Sequence, residues 1–276
     1  MFKLQANQIY MLIPAPKEEL IVVKIGGNVI DNEQSLVKFL NDFSKITKKK
    51  ILVHGGGKIA TEIASRLGIE AVMVEGRRVT DKSMLDIVTM VYGGLINKNI
   101  VAKLQAFSND AIGLSGADGN SILCVKRPVK DIDYGFVGDV KDVNNSFIDK
   151  LLGMGLIPVM SPLSHDGFGN MLNINADTVA TTLSKAMSKN YNVTLLYCFE
   201  LKGVLSDFEN KDSIIPKLNF DSYQDLKQKG VISKGMIPKM DNSFDAIKNG
   251  VSKVVICHSD NMLMASLGVE TGTVLA

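Results

Sequence analysis

The sequence predicts an α/β protein, a three-layer αβα sandwich around a mostly parallel central sheet. Two observations carry that expectation. Short, apolar, β-rich runs recur along the chain, and stretches with apolar positions at helical spacing separate them. Two of the early runs also end on glycine clusters, where an open α/β sheet places its ligands at the carboxyl ends of its strands.

The first run, LIVVKI from Leu20 to Ile25, closes on Gly26-Gly27, and the second, Ile51-Leu52-Val53, closes on Gly55-Gly56-Gly57. Between them, Leu36, Phe39, Leu40, Phe43 and Ile46 mark a helix over residues 33–47, which completes a strand, helix, strand unit. Residues 58–67 read as a helix ended by Gly68. Residues 71–80 (AVMVEGRRVT) alternate around Glu75-Gly76 as a β-hairpin does. Residues 84–107 form one long helix whose excess apolar surface calls for burial against another helix, including one from a second subunit. Further strands are expected at 111–114, 122–125, 156–160, 193–197 and 251–257, and further helices at 144–153, 176–188, 221–229 and 239–249. The organisation expected is an N-terminal extension over 1–20, an N-lobe over 21–180 and a C-lobe over 181–276.

The length, 276 residues with 46% hydrophobic and 22% charged, suits a globular chain of one or two domains. Lysine plus arginine, 31, nearly balances aspartate plus glutamate, 29, so no global field is available to hold a nucleic acid. Phosphate chemistry here must rest on a few placed cations. Cys124, Cys198 and Cys257 each sit in an apolar run without CxxC or Cys/His spacing, which predicts reduced, buried thiols and no protein-held metal. The apolar stretch Ile9 to Ile13 is too short to span a bilayer and no cleavage site follows it, so the expectation is a soluble, cytoplasmic protein without a membrane partner.

Glycines at a strand end let the backbone approach a ligand and aim N–H groups at anionic oxygens, and the following helix N-terminus adds favourable potential. Gly26 and Gly27, and Gly56 and Gly57, therefore read as phosphate or carboxylate cradles, against the plainer reading of tight strand-to-helix turns. Lys24, on the first strand just before its glycines, would be costly to bury unless it faces a ligand or partner. Asn173 and Asp177 fall in NINAD at a helix start, where more hydrogen-bonding groups gather than one cap requires. Pro238 starts a helix and puts Lys239 in its first turn, a position also compatible with a solvated surface lysine. Arg78, on the hairpin arm, has the planar fork that clamps a carboxylate. There is no GxxxxGK[ST], HGGGKIATE lacks the third glycine of a dinucleotide fingerprint, and protein-kinase motifs are missing.

Taken together, VVKIGGN, LVHGGGK, EGRRVT, GLSGADGN, GFVGDV, LNINAD, KGVLSD and KGMIPK resemble the amino acid kinase family in order and spacing, across residues 21 to 239. The similarity is to the branch that phosphorylates the side-chain carboxylate of N-acetyl-L-glutamate in arginine biosynthesis. The resemblance implies ATP and Mg2+ as the phosphoryl source, Lys24 and Lys239 as the cations on the transferring group, and Asp177 as the residue that holds both. It implies Gly26 and Gly27 at the nucleotide phosphates, Gly56 and Gly57 at the phosphoryl oxygens and acceptor, and Arg78 and Asn173 at the acceptor's α-carboxylate. It also implies that the N-lobe binds acceptor and dimerises while the C-lobe binds ATP.

A side-chain carboxylate, with an unperturbed pKa of about 4.3, is ionised at neutral pH and needs no general base, so none of His54, His165 and His258 is given a role. Two departures from the family pattern stand out. The segment CFELKG, from Cys198 to Gly203, replaces the usual aspartate and small turn, which leaves the adenine and ribose contacts open. Pro14 and Pro16 interrupt the N-terminal helix that arginine-inhibited members share, and the stretch from His258 to Gly272 departs from theirs, so an arginine-insensitive homodimer is expected. The rivals are an N-succinyl-L-glutamate kinase and a non-catalytic amino-acid sensor of the same fold; retention of Lys24, Asp177 and Lys239 argues against the sensor.

Overall fold

The computed structural model describes residues 16–74, 76–207, 209–232 and 236–276. The expectations for Ile9 to Pro14, for Glu75 in the hairpin and for Gly235 in KGMIPK lie outside the described residues.

Strand β1 (Glu19–Ile25) leads into the single-turn helix α1 (Gly27–Ile30), then α2 (Glu33–Ser44), β2 (Lys49–Val53) and α3 (Gly57–Arg66). The hairpin β3 (Met73–Val74) and β4 (Arg77–Arg78) follows, and then α4 (Lys82–Val88), a π-helical segment (Thr89–Ile96) and α5 (Asn97–Ala106). Next come β5 (Ala111–Leu114), β6 (Ile122–Lys126), β7 (Gly138–Val143), α6 (Asn145–Gly153), β8 (Ile157–Met160), β9 (Leu163–His165) and β10 (Met171–Asn173). Helix α7 (Ala176–Met187), β11 (Asn192–Phe199), β12 (Lys217–Leu218), α8 (Phe220–Gln228), α9 (Ile237–Lys248), β13 (Lys253–His258), α10 (Met262–Ser266) and β14 (Thr273–Leu275) complete the order.

The main sheet has eight strands in the order β12-β14-β13-β11-β1-β2-β8-β5. All of its neighbours are parallel except β13 and β14. Both edges of β1 are paired, to β11 and to β2, and its side chains alternate between two cores, one on each face of the sheet. Leu20 and Val22 pack with α6, α7 and α9, through residues such as Ile148, Leu183 and Met240. Ile21, Val23 and Ile25 pack with α2 and the α4–α5 helical run, through residues such as Phe39, Ile87 and Ile100. Helices thus cover both faces of one sheet, as the sequence predicts.

Helix α2 begins at a cap in which Asn32 accepts from the Ser35 N–H at 2.9 Å. At its far end, Lys50 of β2 is only 5% exposed, and its ammonium donates to the carbonyls of Phe43, Ser44 and Ile46 at 2.9, 3.0 and 2.8 Å. The Ser44 and Ile46 carbonyls have no continuing helix to bond, and the buried lysine satisfies them while adding to the Ile46 N–H that the Phe43 carbonyl accepts.

Two expectations are corrected. Residues 122–125 do form a strand, but β6 belongs to a separate sheet of order β10-β9-β6-β7, antiparallel except for the short β6–β9 contact. Its burial falls off toward Val125 and Lys126, which face solvent, so it never had the two covered faces of a central strand. The 84–107 helix is not uniform: a π-helix of eight residues interrupts it, which an apolar run without proline does not reveal.

Candidate active site

The central cluster forms where β1 and β11 end and α7 begins. Lys24 lies in register with Tyr197 of β11, and its ammonium sits 2.8 Å from Asp177 Oδ1. Lys239, in the first turn of α9, donates to Asp177 Oδ2. Asn175 is the cap of α7 and accepts from the N–H groups of Asp177 and Thr178 at 2.8 and 3.3 Å. Because Asn175 takes the capping role, the Asp177 carboxylate is left for the two lysines.

These side chains are 14% (Lys24), 14% (Asp177) and 25% (Lys239) exposed, too dry for three separate surface charges. Burial alone would raise the Asp177 pKa, but Lys24 and then Lys239 outweigh it and hold the carboxyl down at about 2. Burial pushes the Lys239 ammonium below its ordinary range, with Asp177 opposing and Lys24 reinforcing the shift. One carboxylate thus faces two ammonium groups, with Glu200 close enough to act on Lys239 as well.

Two cavities flank this triad. The first is lined by Lys24, Gly26, Gly27, Phe199, Glu200 and Lys239 among others. Gly26 donates to the Cys198 carbonyl at 2.8 Å, and a Cβ there would stand 3.0 Å from Phe199 Cβ, so the β1 end and the β11 end are locked together. Gly27 begins α1 with open space where a side chain would be. Leu201 and Met236 continue from this cavity into a small apolar cleft with Val204, Leu205 and Ile232.

The second cavity lies on the other side of α7's first turn and is lined by Gly55, Gly56, Gly57, Arg78, Asn173 and Thr178 among others. Its glycine turn is fixed from behind by His54, fully buried, whose ring Nδ1 bonds the Gly55 carbonyl at 2.8 Å while Nε2 faces Asn97 Nδ2 at 3.1 Å. Burial pushes the His54 pKa down to about 4, so a neutral ring serves here as a brace. Gly56 has φ +142°, and a Cβ would stand 2.1 Å from Ile96 Cδ1. Gly56→Ala is therefore expected to cost about 1–3 kcal/mol of stability in urea melts.

Arg78, buried, donates through Nη2 to the Gly57 carbonyl and to Thr61 Oγ1, both at 2.8 Å, which pins its guanidinium to the start of α3. Asn173 Nδ2 donates to Thr80 Oγ1 at 3.0 Å, and its N–H to the Phe136 carbonyl at 2.9 Å. All the residues singled out from sequence thus fall at one end of the sheet: Lys24, Gly26, Gly27 and Lys239 at one cavity, Gly56, Gly57, Arg78 and Asn173 at the other, with Asp177 between.

Sequence reasoning missed Tyr92 and Arg127, which also line the second cavity. Tyr92 is hidden inside an apolar helical run, and Arg127 looks like half of a solvated Lys-Arg pair. Arg127 is held by Asp139, with its Nε at 3.1 and 3.2 Å from the two carboxylate oxygens, while its Nη1 is buried without a hydrogen-bond partner.

Residues 19–258 match the Amino acid kinase family. The chain belongs to that family. It is 60% identical over 247 residues to the acetylglutamate kinase of Cytophaga hutchinsonii, covering 89% of this chain and 94% of the relative. It is 53% identical over 259 residues to the acetylglutamate kinase of Phocaeicola vulgatus, covering 94% and 99%. The solved structure of smu.665 from Streptococcus mutans superposes with a TM-score of 0.76 at 27% identity, over 93% of this chain and 98% of that one. The αβα sandwich is thus the amino acid kinase fold, as the motif resemblance implies, and the two cavities lie at the strand carboxyl ends of that fold.

Proposed function

We propose that this amino acid kinase is an acetylglutamate kinase, which moves the γ-phosphoryl group of ATP onto the side-chain carboxylate of N-acetyl-L-glutamate, a step of arginine biosynthesis. The identity to curated acetylglutamate kinases over nearly the whole chain carries this reading. The Lys24–Asp177–Lys239 cluster between two cavities supplies it with a chemistry.

In this reading ATP lies in the cavity of Gly26 and Gly27, its base in the apolar cleft past Leu201 and Met236, and the acceptor lies in the cavity of Gly56, Gly57, Arg78 and Asn173. A carboxylate oxygen of the acceptor forms a bond to the γ-phosphorus as the bond to the bridging oxygen of ADP breaks, and ADP leaves with that electron pair. No proton moves. The acceptor is ionised at neutral pH, so the protein's task is to align two anions and neutralise them. Lys24 and Lys239 meet the equatorial oxygens, Asp177 fixes the distance between the two ammonium groups, and the glycine N–H groups complete the cradle. Arg78 and Asn173 hold the α-carboxylate. Mg2+ would be carried on the nucleotide phosphates and would supply further charge neutralisation beside Lys24 and Lys239.

The lobe assignment follows the cavities: residues 21–180 for the acceptor and 181–276, with the β1 end, for ATP. Met90 and Leu95 are exposed apolar residues on the π-helical segment, which supports pairing of two copies through this helix as a homodimer; its insensitivity to arginine rests on the departures at Pro14, Pro16 and the stretch from His258 to Gly272. No helix among the described residues is long and apolar enough to cross a membrane.

A second reading has one observation in its favour. Arg127, whose Nη1 is buried without a hydrogen-bond partner, lines the cavity read as the acceptor site, where the extra carboxylate of N-succinyl-L-glutamate would meet its guanidinium. The test is ADP release with magnesium-ATP and N-acetyl-L-glutamate, N-succinyl-L-glutamate, glutamate or aspartate, with hydroxylamine trapping the acyl phosphate. Hydroxamate with N-acetyl-L-glutamate is the expected result; hydroxamate with only the succinyl compound would move the assignment, and none with either would end it.

A further inference from the structure

The π-helical segment Thr89–Ile96 has a local consequence. A π-helical turn is rare and commonly re-aims side chains at a functional site. Here it brings Tyr92 and Ile96 together against Gly56: a Cβ on that glycine would meet Ile96 Cδ1 at 2.1 Å and Tyr92 Cδ1 at 3.2 Å. The Tyr92 hydroxyl continues to the next residue of the turn, 3.9 Å from where a Gly57 Cβ would stand, and the Arg78 Nη2 reaches the same point at 3.7 Å.

Tyr92 is 5% exposed and forms part of the acceptor cavity wall. Burial raises its pKa, with the Arg78 guanidinium opposing, so the phenol keeps its proton at neutral pH. Arg78 hydrogen-bonds the phenol oxygen, and a guanidinium can only donate, so that contact leaves the phenol proton free for an acceptor. A buried tyrosine normally finds a partner for its O–H. The Tyr92 ring and the Arg78 guanidinium both line this cavity, and the phenol oxygen lies beside that guanidinium.

We propose that Tyr92 is a substrate-binding residue, its O–H donating to the same acceptor carboxylate that Arg78 pairs with. The assignment rests on reading this cavity as the acceptor site. It makes the π-helix the device that lets one aromatic residue do two things: its ring packs on Gly56 and its hydroxyl reaches the ligand.

Tyr92→Phe keeps the ring against Gly56 and removes only the donor. The expected result is a rise of about tenfold in the KM for N-acetyl-L-glutamate, the loss of one hydrogen bond to a charged group, with the KM for ATP and the thermal midpoint unchanged. Calorimetric titration of wild type and variant with N-acetyl-L-glutamate reads the same difference without turnover. Equal acceptor KM and equal affinity would overturn the assignment, as would a fall in kcat alone, which would make Tyr92 a support for the glycine turn. Wild-type protein that neither turns over nor binds the acceptor would overturn the reading of the cavity itself, and the Tyr92 assignment with it.

Discussion

Replacing Lys24 or Lys239 by alanine is expected to lower kcat by about 10²–10³-fold each, the usual loss when one preorganised group facing developing charge is removed. The protein should remain folded. Each lysine lies at a cavity wall, and each variant leaves Asp177 paired with the lysine that remains. The double variant should lose less than the product of the two single losses, because both ammonium groups act on one phosphoryl group through one carboxylate. Initial rates under saturating ATP and acceptor, with circular dichroism to check folding, provide the test. Unchanged turnover in both single variants would remove the cluster from the mechanism. Asp177 contributes no pH limb near neutrality to these comparisons. Its pKa is held at about 2, so the stability from its ionised form is present above the ordinary carboxylate range and is lost only as pH falls toward 2.

The parts of this site legible in sequence share one physical property: each breaks a local rule. Lys24 is a charge on a buried strand, Gly56 occupies a φ that residues with a Cβ avoid, and NINAD holds more polar groups than a cap uses. The structure resolves that last surplus, since Asn175 caps α7 and frees Asp177. Lys239 breaks no rule, and composition favoured a solvated surface role; only motif order placed it, and only the fold shows α9 delivering it to α7.

Tyr92 and Arg127 obey their local patterns fully. An apolar helical run tolerates a tyrosine, and a Lys-Arg-Pro stretch after a strand reads as a solvated end. Their placement depends on a π-helical offset and on a second sheet, both properties of tertiary packing that no window of sequence encodes. Six strands of the main sheet, β1, β2, β5, β8, β11 and β13, were legible because each carries a buried, largely apolar run. Its edge strands β12 and β14, and β7, β9 and β10 of the second sheet, were not, being short or half-polar.

Lys50→Met is expected to destabilise the fold by about 3 kcal/mol at pH 7, the largest loss of stability anticipated for a position outside the two cavities. Methionine fills much of the same volume but leaves Phe43 with only backbone N–H donors, and the carbonyls of Ser44 and Ile46 without their donor at the buried end of α2. Their desolvation is then uncompensated, and the effect should appear in urea melts as a lower midpoint at constant slope. The pH dependence identifies the cause. Burial pushes the Lys50 ammonium from its ordinary 10.5 down to about 8 in the folded chain. Between those values the unfolded chain binds more protons at this site than the folded one, so wild-type stability gains from Lys50 as pH rises through that window. The variant has no such group, and its disadvantage should therefore widen from pH 8 toward 10.5, with the other titrating groups common to both proteins cancelling. A gap that stays flat would mean that the three carbonyls stabilise the ammonium as strongly as burial opposes it, and that the end of α2 is held by a charge rather than by a neutral amine.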